Sequence, residues 1–172
     1  MTFAQKLGAS YVQHQEQVKI KSIKCQIGEA EFTLRVRIPI KREMEAITES
    51  ITNPDPDRIE ATFNRLAEPI KKAVADGGEE LVNLLNTNKE KIVITEADVI
   101  LDGTSVRQTA HLMAMWEIKV EQMFHLLQSE TGEPINESYE QIIEEFPESV
   151  IKMLVDEIEQ TIKPDYRSAK KN

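Results

Sequence analysis

The chain has 172 residues, 40% hydrophobic and 30% charged, with a net charge of −9; that length suits one domain, or one with a small appendage, and suffices for a real core. The negative balance argues against general nucleic-acid binding, where phosphate contacts need clustered Lys and Arg. No apolar run approaches the ~18 residues of a membrane span, the N-terminus lacks the basic start and apolar core of a secretory signal, and the lone Cys25 excludes an intramolecular disulfide and points to the cytosol.

In chain order, Phe3, Leu7, Tyr11 and Val12 predict a short helix from Thr2 to about Glu16, with Thr2 as its cap. From Val18 to Ile27 the pattern is β-like, but its alternation slips at Ser22-Ile23, where a bulge is expected. Gly28-Glu29-Ala30 reads as a turn. Then Phe32, Leu34, Val36 and Ile38 alternate with Thr33, Arg35 and Arg37, the cleanest strand pattern in the chain. The two segments are expected to form an antiparallel hairpin that ends at Pro39, which cannot donate to a ladder. Lys19 and Lys21 are expected opposite Arg35 and Arg37.

Lys41 to Ile51 is helical by pattern, with Met44, Ile47 and Ile51 inward. Thr52-Asn53-Pro54-Asp55-Pro56-Asp57 is the strongest break, so the expected division is 1–52, 53–163 and a basic tail, 164–172. Arg58 to Ala75 restarts a helix that Pro69 is expected to kink or split, and Gly77-Gly78 allows a further break. Ile92-Val93-Ile94 and Val99-Ile100-Leu101 are too short for periodicity to decide between strand and helix.

Ser105 to Gln128 lacks Pro and Gly and follows two possible caps, Thr104 and Ser105. Val106, Ala110, Met113, Trp116, Val120, Met123, Phe124 and Leu127 recur at helical spacing, and Leu112, Met115, Ile118 and Leu126 widen the stripe. A helix about 36 Å long, buried on most sides, is expected, with Trp116 in the core. Thr131 to Pro134 reads as a loop and Asn136 as the cap of a helix through Glu145. Pro147 suits the first position of a last helix whose stripe runs from Val150 to Ile162 before Pro164. The expected fold class is α+β, mostly α: an N-terminal β-hairpin module followed by a helical bundle around the long central helix.

Catalytic chemistry is sparse. His111 and His125 lie about 20 Å apart on one presumed helix, too far to share a metal, and His125 with Glu121 reads better as a surface contact. There is no HExxH, GxxxxGK[ST] or GxGxxG. Carboxylate pairs such as Glu144 with Glu148 match a solvated acidic face, and Cys25 reads as a half-buried small hydrophobe. Between Glu130 and Glu159 stand ten carboxylates and one Lys. These residues predict no enzyme, no cofactor and no metal.

Three stretches carry a resemblance: EFTLRVRIPIKREMEAI, DVILDGTSVRQTAHLMAMWEIKVEQMFHLL, and EEFPESVIKMLVDEIEQTIKPDYRSAKKN. Together with the opening MTFAQKL they make the chain resemble the tail assembly chaperones of long-tailed bacteriophages. The resemblance implies a protein of the host cytoplasm that binds the long helical tape measure protein, recruits tail tube subunits, uses no cofactor and is absent from the finished virion. It also implies a longer form made by ribosomal frameshifting near Lys170-Lys171-Asn172, whose codons can be a run of adenines. Independently of it, the residues single out Phe32, Arg35 and Arg37 on the hairpin, and Lys170 and Lys171 in the tail, as partner-binding candidates. Self-association is open, whereas nucleic acid and membrane are not expected as partners. Two alternatives remain at this level: a virion structural component, such as a head–tail connector or minor tail protein, and an acidic inhibitor that mimics nucleic acid.

Overall fold

The computed structural model describes residues 19–87, 92–129 and 131–163, together with Lys6 and Gly8. The helix expected from Thr2 to Glu16 and the basic tail, with Lys170 and Lys171, lie outside the described residues. The chain adopts the expected α+β, mostly α class, with an N-terminal hairpin, then helices, and two three-stranded antiparallel sheets among the described residues. It divides into two compact units, one of residues 1–47 with 119–172, the other of 48–118. The sequence had suggested a main boundary at Asn53-Pro54, with a basic tail from 164. The observed boundaries fall instead inside two helices, because the C-terminal elements and the end of the central helix group with the hairpin.

In the discontinuous unit, β1 (Ile20–Ile27) and β2 (Ala30–Arg37) pair from Ile20↔Arg37 to Ile27↔Ala30 with no shift of register. The bulge expected at Ser22-Ile23 is absent. Lys21 instead pairs with Val36, on that residue's face of the hairpin, where it stays exposed and its ammonium donates to the Thr161 carbonyl at 3.1 Å. A lysine stem can lie along apolar surface while its head finds a polar partner, so the slipped alternation costs no extra residue. The same register puts Lys21 on the opposite face from Arg35 and Arg37, which correct the expected grouping. Gly28 has φ of +61°, suited to the first central position of a type II′ turn.

A third strand, β6 (Leu127–Gln128), pairs Val36↔Leu127 and Arg35↔Gln128, giving the order β1-β2-β6. Arg37 N–H extends the pairing by donating to the Leu126 carbonyl at 2.7 Å. The central helix was expected to include these residues, but α3 spans Val106–Phe124. Leu126 N–H bonds back to Met123 in a tight final turn, and the chain leaves the helix axis with Leu126 and Leu127 both buried.

After β2, α1 (Lys41–Thr52) begins with Glu43 accepting from Ile40 N–H at 2.9 Å, half of a capping box. Later, α4 (Tyr139–Glu145) is capped by Ser138, which forms a full capping box with Gln141. The expected cap was Asn136; Ser138-x-x-Gln141 satisfies two free N–H groups reciprocally, which Asn136 has no partner to do. Pro147 stands just before α5 (Glu148–Ile162), which buries Ile151, Leu154, Val155 and Ile158.

In the other unit, α2 (Pro56–Thr87) is broken at Gly78, with φ 57° and ψ −158°. Helix continues through Pro69, whose exposed position leaves the forfeited hydrogen bond at a wet surface. The two short apolar runs are strands. β3 (Ile92–Ile94) pairs with β4 (Val99–Leu101), and β4 pairs with β5 (Thr104–Ser105) across Asp102-Gly103. Both turn residues have positive φ, 47° and 79°, the signature of a type I′ hairpin turn. Phe63, Ala67, Val99, Val106 and Ala110 form the core here.

The exposure of α3 differs from expectation. Trp116 is half-buried rather than central to a core, and Leu112 and Met113 are 59% and 36% exposed. The buried line in its first part is Val106, Ala110, Ala114 and Glu117, with alanines in place of the larger side chains the stripe had suggested. Glu117 is 3% exposed and meets Arg65 at 2.5 Å and Arg58 at 3.6 Å. A carboxylate is retained at such a site only when paired.

Asp98 ties β4, β5 and α3 together. Its carboxylate accepts from Val99 N–H at 2.8 Å, from Arg107 N–H at 2.9 Å and from the Ser105 hydroxyl. Ser105 Oγ in turn accepts from Gln108 N–H at 2.9 Å, as a helix cap does. The Ser105 hydrogen bond first, then the backbone donors and the Arg107 charge, hold the Asp98 carboxyl below its usual range. A carboxylate whose folded value is depressed stabilises the fold above its unfolded value, and that stabilisation is lost as pH falls through the folded one. Asp98→Ala should cost about 1–3 kcal/mol in denaturant unfolding. Asp98→Asn should flatten the acid limb of stability below about pH 4; an acid limb identical to that of the parent protein would contradict this role.

Candidate docking groove

The inner face of the hairpin carries Phe32 and Leu34, half-buried, and Val36, fully buried. Opposite strand positions put Cys25 beside Phe32 and Ile23 beside Leu34. Burial and the charge of Glu157 push the Cys25 thiol up from its ordinary value, so it stays a neutral packing group. Against this face lie Phe124 from the end of α3, Leu127 from β6, Ile142 and Phe146 at α4, and Leu154 from α5. They enclose an open groove of about 200 Å³. The rings of Phe124 and Phe146 meet at 6.1 Å and 58°, a tilted contact typical of aromatic pairs.

Polar ties hold the walls in place. Tyr139 N–H donates to the Glu121 carboxylate at 2.9 Å, and the His125 ring approaches the Glu137 carbonyl at 3.2 Å, fixing the start of α4 to the end of α3. Lys119 and Glu159 meet at 3.0 Å between α3 and α5. The rim is polar and negative: Glu137, Gln141 and Glu145 line the mouth and are exposed. The floor is apolar, so the shape suits a large apolar side chain from a helix or strand with basic flanks. An engineered cavity of ~150 Å³ holds one benzene ring, while small-molecule sites usually run to ~300 Å³ or more. By size the groove takes one anchor rather than a ligand.

No protein-family model, curated protein or solved structure matches this chain.

The partner-binding candidates do not converge. Phe32 lines the groove, whereas Arg35 and Arg37 lie on the other face of β2. Arg37 donates to Glu43 at 2.8 Å, and Glu43 also accepts from Ile40 N–H; these bonds, the backbone one foremost, hold the Glu43 carboxyl below its usual range. Among the described residues, the buried Arg35 Nε has no hydrogen-bond partner, nor has Oε1 of its cross-strand neighbour Gln128. Lys170 and Lys171 fall outside the described residues. Sequence reasoning missed Phe124, Ile142, Phe146 and Leu154 as one site. They are far apart in sequence, and the acidic run around α4 was the one signal that marked the neighbourhood. Among the described residues no three His, Cys, Asp or Glu side chains gather as metal ligands would, and the Glu121 carboxylate accepts from Tyr139 N–H.

The groove also includes residues of the core, so truncating them has a cost. Ile142→Ala should lose about 2–5 kcal/mol, read by chemical denaturation. Arg37→Glu removes the ion pair and sets like charge beside the cap, so stability should fall by about 1 kcal/mol. An unchanged melting temperature for Arg37→Glu would show that Glu43 caps α1 without help.

Proposed function

We propose that this chain is a tail assembly chaperone of a long-tailed bacteriophage, a non-catalytic protein of the host cytoplasm. In this role it holds apolar segments of the tape measure protein and recruits tail tube subunits during tail assembly. The groove carries the reading: an apolar floor of Phe32, Leu34, Phe124 and Ile142 behind a rim of Glu137 and Glu145. A tape measure protein is long and helical, and in isolation its helices would leave apolar stripes in water. An apolar anchor flanked by Lys or Arg is what this groove complements, since the carboxylates select the flanks and the aromatic floor takes the anchor. The acidic surface of α4, where Glu140 and Glu144 are exposed, extends the same complementarity along a helix. No helix among the described residues is long and apolar enough to cross a membrane.

The resemblance set out above supplies the class of partner, and the groove supplies the means of holding it. The test is a pull-down of helical segments of a tape measure protein. Leu34→Asp places a charge in the groove wall and should abolish capture, while Glu137→Lys with Glu145→Lys should weaken it at least tenfold at low salt. Raising ionic strength should weaken wild-type binding part-way, because the rim is screened and the floor is not. Full capture by folded Leu34→Asp would overturn the docking role of the groove.

A further inference from the structure

We propose that this chain pairs with a second copy of itself through the face that Leu112 and Met113 share with a second apolar pocket, within residues 48–118. The inference goes beyond the docking groove, which belongs to the other unit, and does not depend on it. The pocket is open, holds about 190 Å³, and is lined by Leu66 and Ile70 of α2, Leu101 of β4, Thr104 of β5, and Val106 and Thr109 of α3. Its wall offers little to a polar ligand, since Thr109 already donates its hydroxyl to the Ser105 carbonyl at 3.0 Å. Three and four residues beyond Thr109, the spacing of neighbours on one helix face, stand Leu112 and Met113, 59% and 36% exposed. Ile94, also exposed, lies on the same sheet face as Leu101 and Thr104. A hole and an apolar knob therefore adjoin on one surface.

Shape commits that surface to a second copy. In a twofold pair, residue i of one copy meets j of the other, and j meets i. Residue 109 lies midway between 106 and 112. Two α3 helices running antiparallel across an axis near Thr109 thus set Leu112 opposite Val106 in both directions at once. Each Leu112 then enters the other copy's pocket, and the small Thr109 side chain lets the helices approach. A cavity of ~150 Å³ holds a benzene ring, so a pocket of about 190 Å³ has room for a leucine side chain.

Charge points the same way. The six lining residues are uncharged, as are Leu112 and Met113, whereas the groove of the other unit is rimmed by Glu137 and Glu145. A basic client is drawn to that rim and has nothing to select it here. With a net charge of −9, two copies repel wherever their charged surfaces meet, and an uncharged apolar face is where that repulsion is least. A pair also carries two grooves, which raises its avidity for a client with several anchors.

The experiment is sedimentation equilibrium of the full chain from about 1 to about 200 µM, a range suited to a small interface. The mean mass should rise from 19.6 kDa toward twice that value. Leu112→Asp carries a charge into an apolar pocket and should weaken pairing at least about tenfold. Leu112 is exposed, so the melting temperature should stay within a few degrees. Thr104→Arg, at an exposed position of the pocket, should weaken pairing likewise. Mixing the two variants should restore it: the introduced acid and base face each other on one side, and on the other Leu112 still meets an unaltered pocket. A chain that is monomeric throughout, that grows past a dimer, or that pairs undiminished with either substitution would overturn the proposal. So would a mixture that pairs no better than each variant alone. If the chain stays monomeric while Leu112→Asp loses capture of tape measure segments, the face belongs to the client and not to a second copy.

Discussion

The pairing of Leu127–Gln128 with Val36–Arg35 is the constraint on which the discontinuous unit depends. Residues 48–118 form a unit of their own between the hairpin and the C-terminal helices, so this contact closes a long loop. Loop closure costs entropy that rises slowly with length, and two residues of ladder offset little of it. What offsets it is apolar burial that the pairing makes possible. Val36, Leu126, Leu127, Val155 and Ile158 are each at most 4% exposed, and each such side chain contributes about 1.5–3 kcal/mol. The strand is short because its work is to aim side chains. Turning the chain out of α3 at His125 brings Phe124 and Leu127 together against Phe32 and Leu34 of the hairpin.

Each unit also has a polar device that specifies where a helix starts. In one, Glu43 receives both the Ile40 N–H and the Arg37 guanidinium. In the other, Asp98 receives two backbone donors and the hydroxyl that caps α3. Arg107 reinforces the second device: its guanidinium lies 4.1 Å over the Phe63 ring, donates to the Ala97 carbonyl at 2.6 Å and meets Glu60 at 2.7 Å. These groups are partly wet, so the bonds are modest in energy and their value lies in geometry. They tie the start of α3 to β4 and β5.

Local pattern and long-range consequence were not equally legible in the sequence. The strand from Phe32 to Ile38 was readable because a period of two with one buried face leaves one register open. The last helix was readable because Val150 to Ile162 repeats at three and four. The end of α3 was not, since His125 to Gln128 is as good a helix continuation as a strand, and the pairing with β2 that decides between them is tertiary. Trp116 was misplaced for a related reason. A stripe with many large apolar residues does not say which of them meet a neighbour, and here the close approach is made by Ala110 and Ala114. Glu117 was invisible to hydrophobic counting, because its burial depends on Arg65 and Arg58 from a helix some fifty residues earlier. Lys21 misled differently: it shares the face of Val36, yet stays exposed and finds the Thr161 carbonyl.

The groove was legible only in fragments, as Phe32 on one strand and an excess of carboxylates on a later helix. Its dimensions nevertheless bound what it can do on the proposed reading. One buried apolar side chain is worth about 1.5–3 kcal/mol, and association in water carries entropic costs of several kcal/mol. A single anchor in a single groove therefore binds weakly. Useful affinity for a long helix must come from repetition, with several copies of this chain each taking one anchor, or from one chain whose tail and groove engage together. With several copies, the strength of the complex scales with the length of the captured helix rather than with the quality of one contact. That property suits a protein whose proposed client is long, is held only for a time, and must be released along its whole length as assembly proceeds.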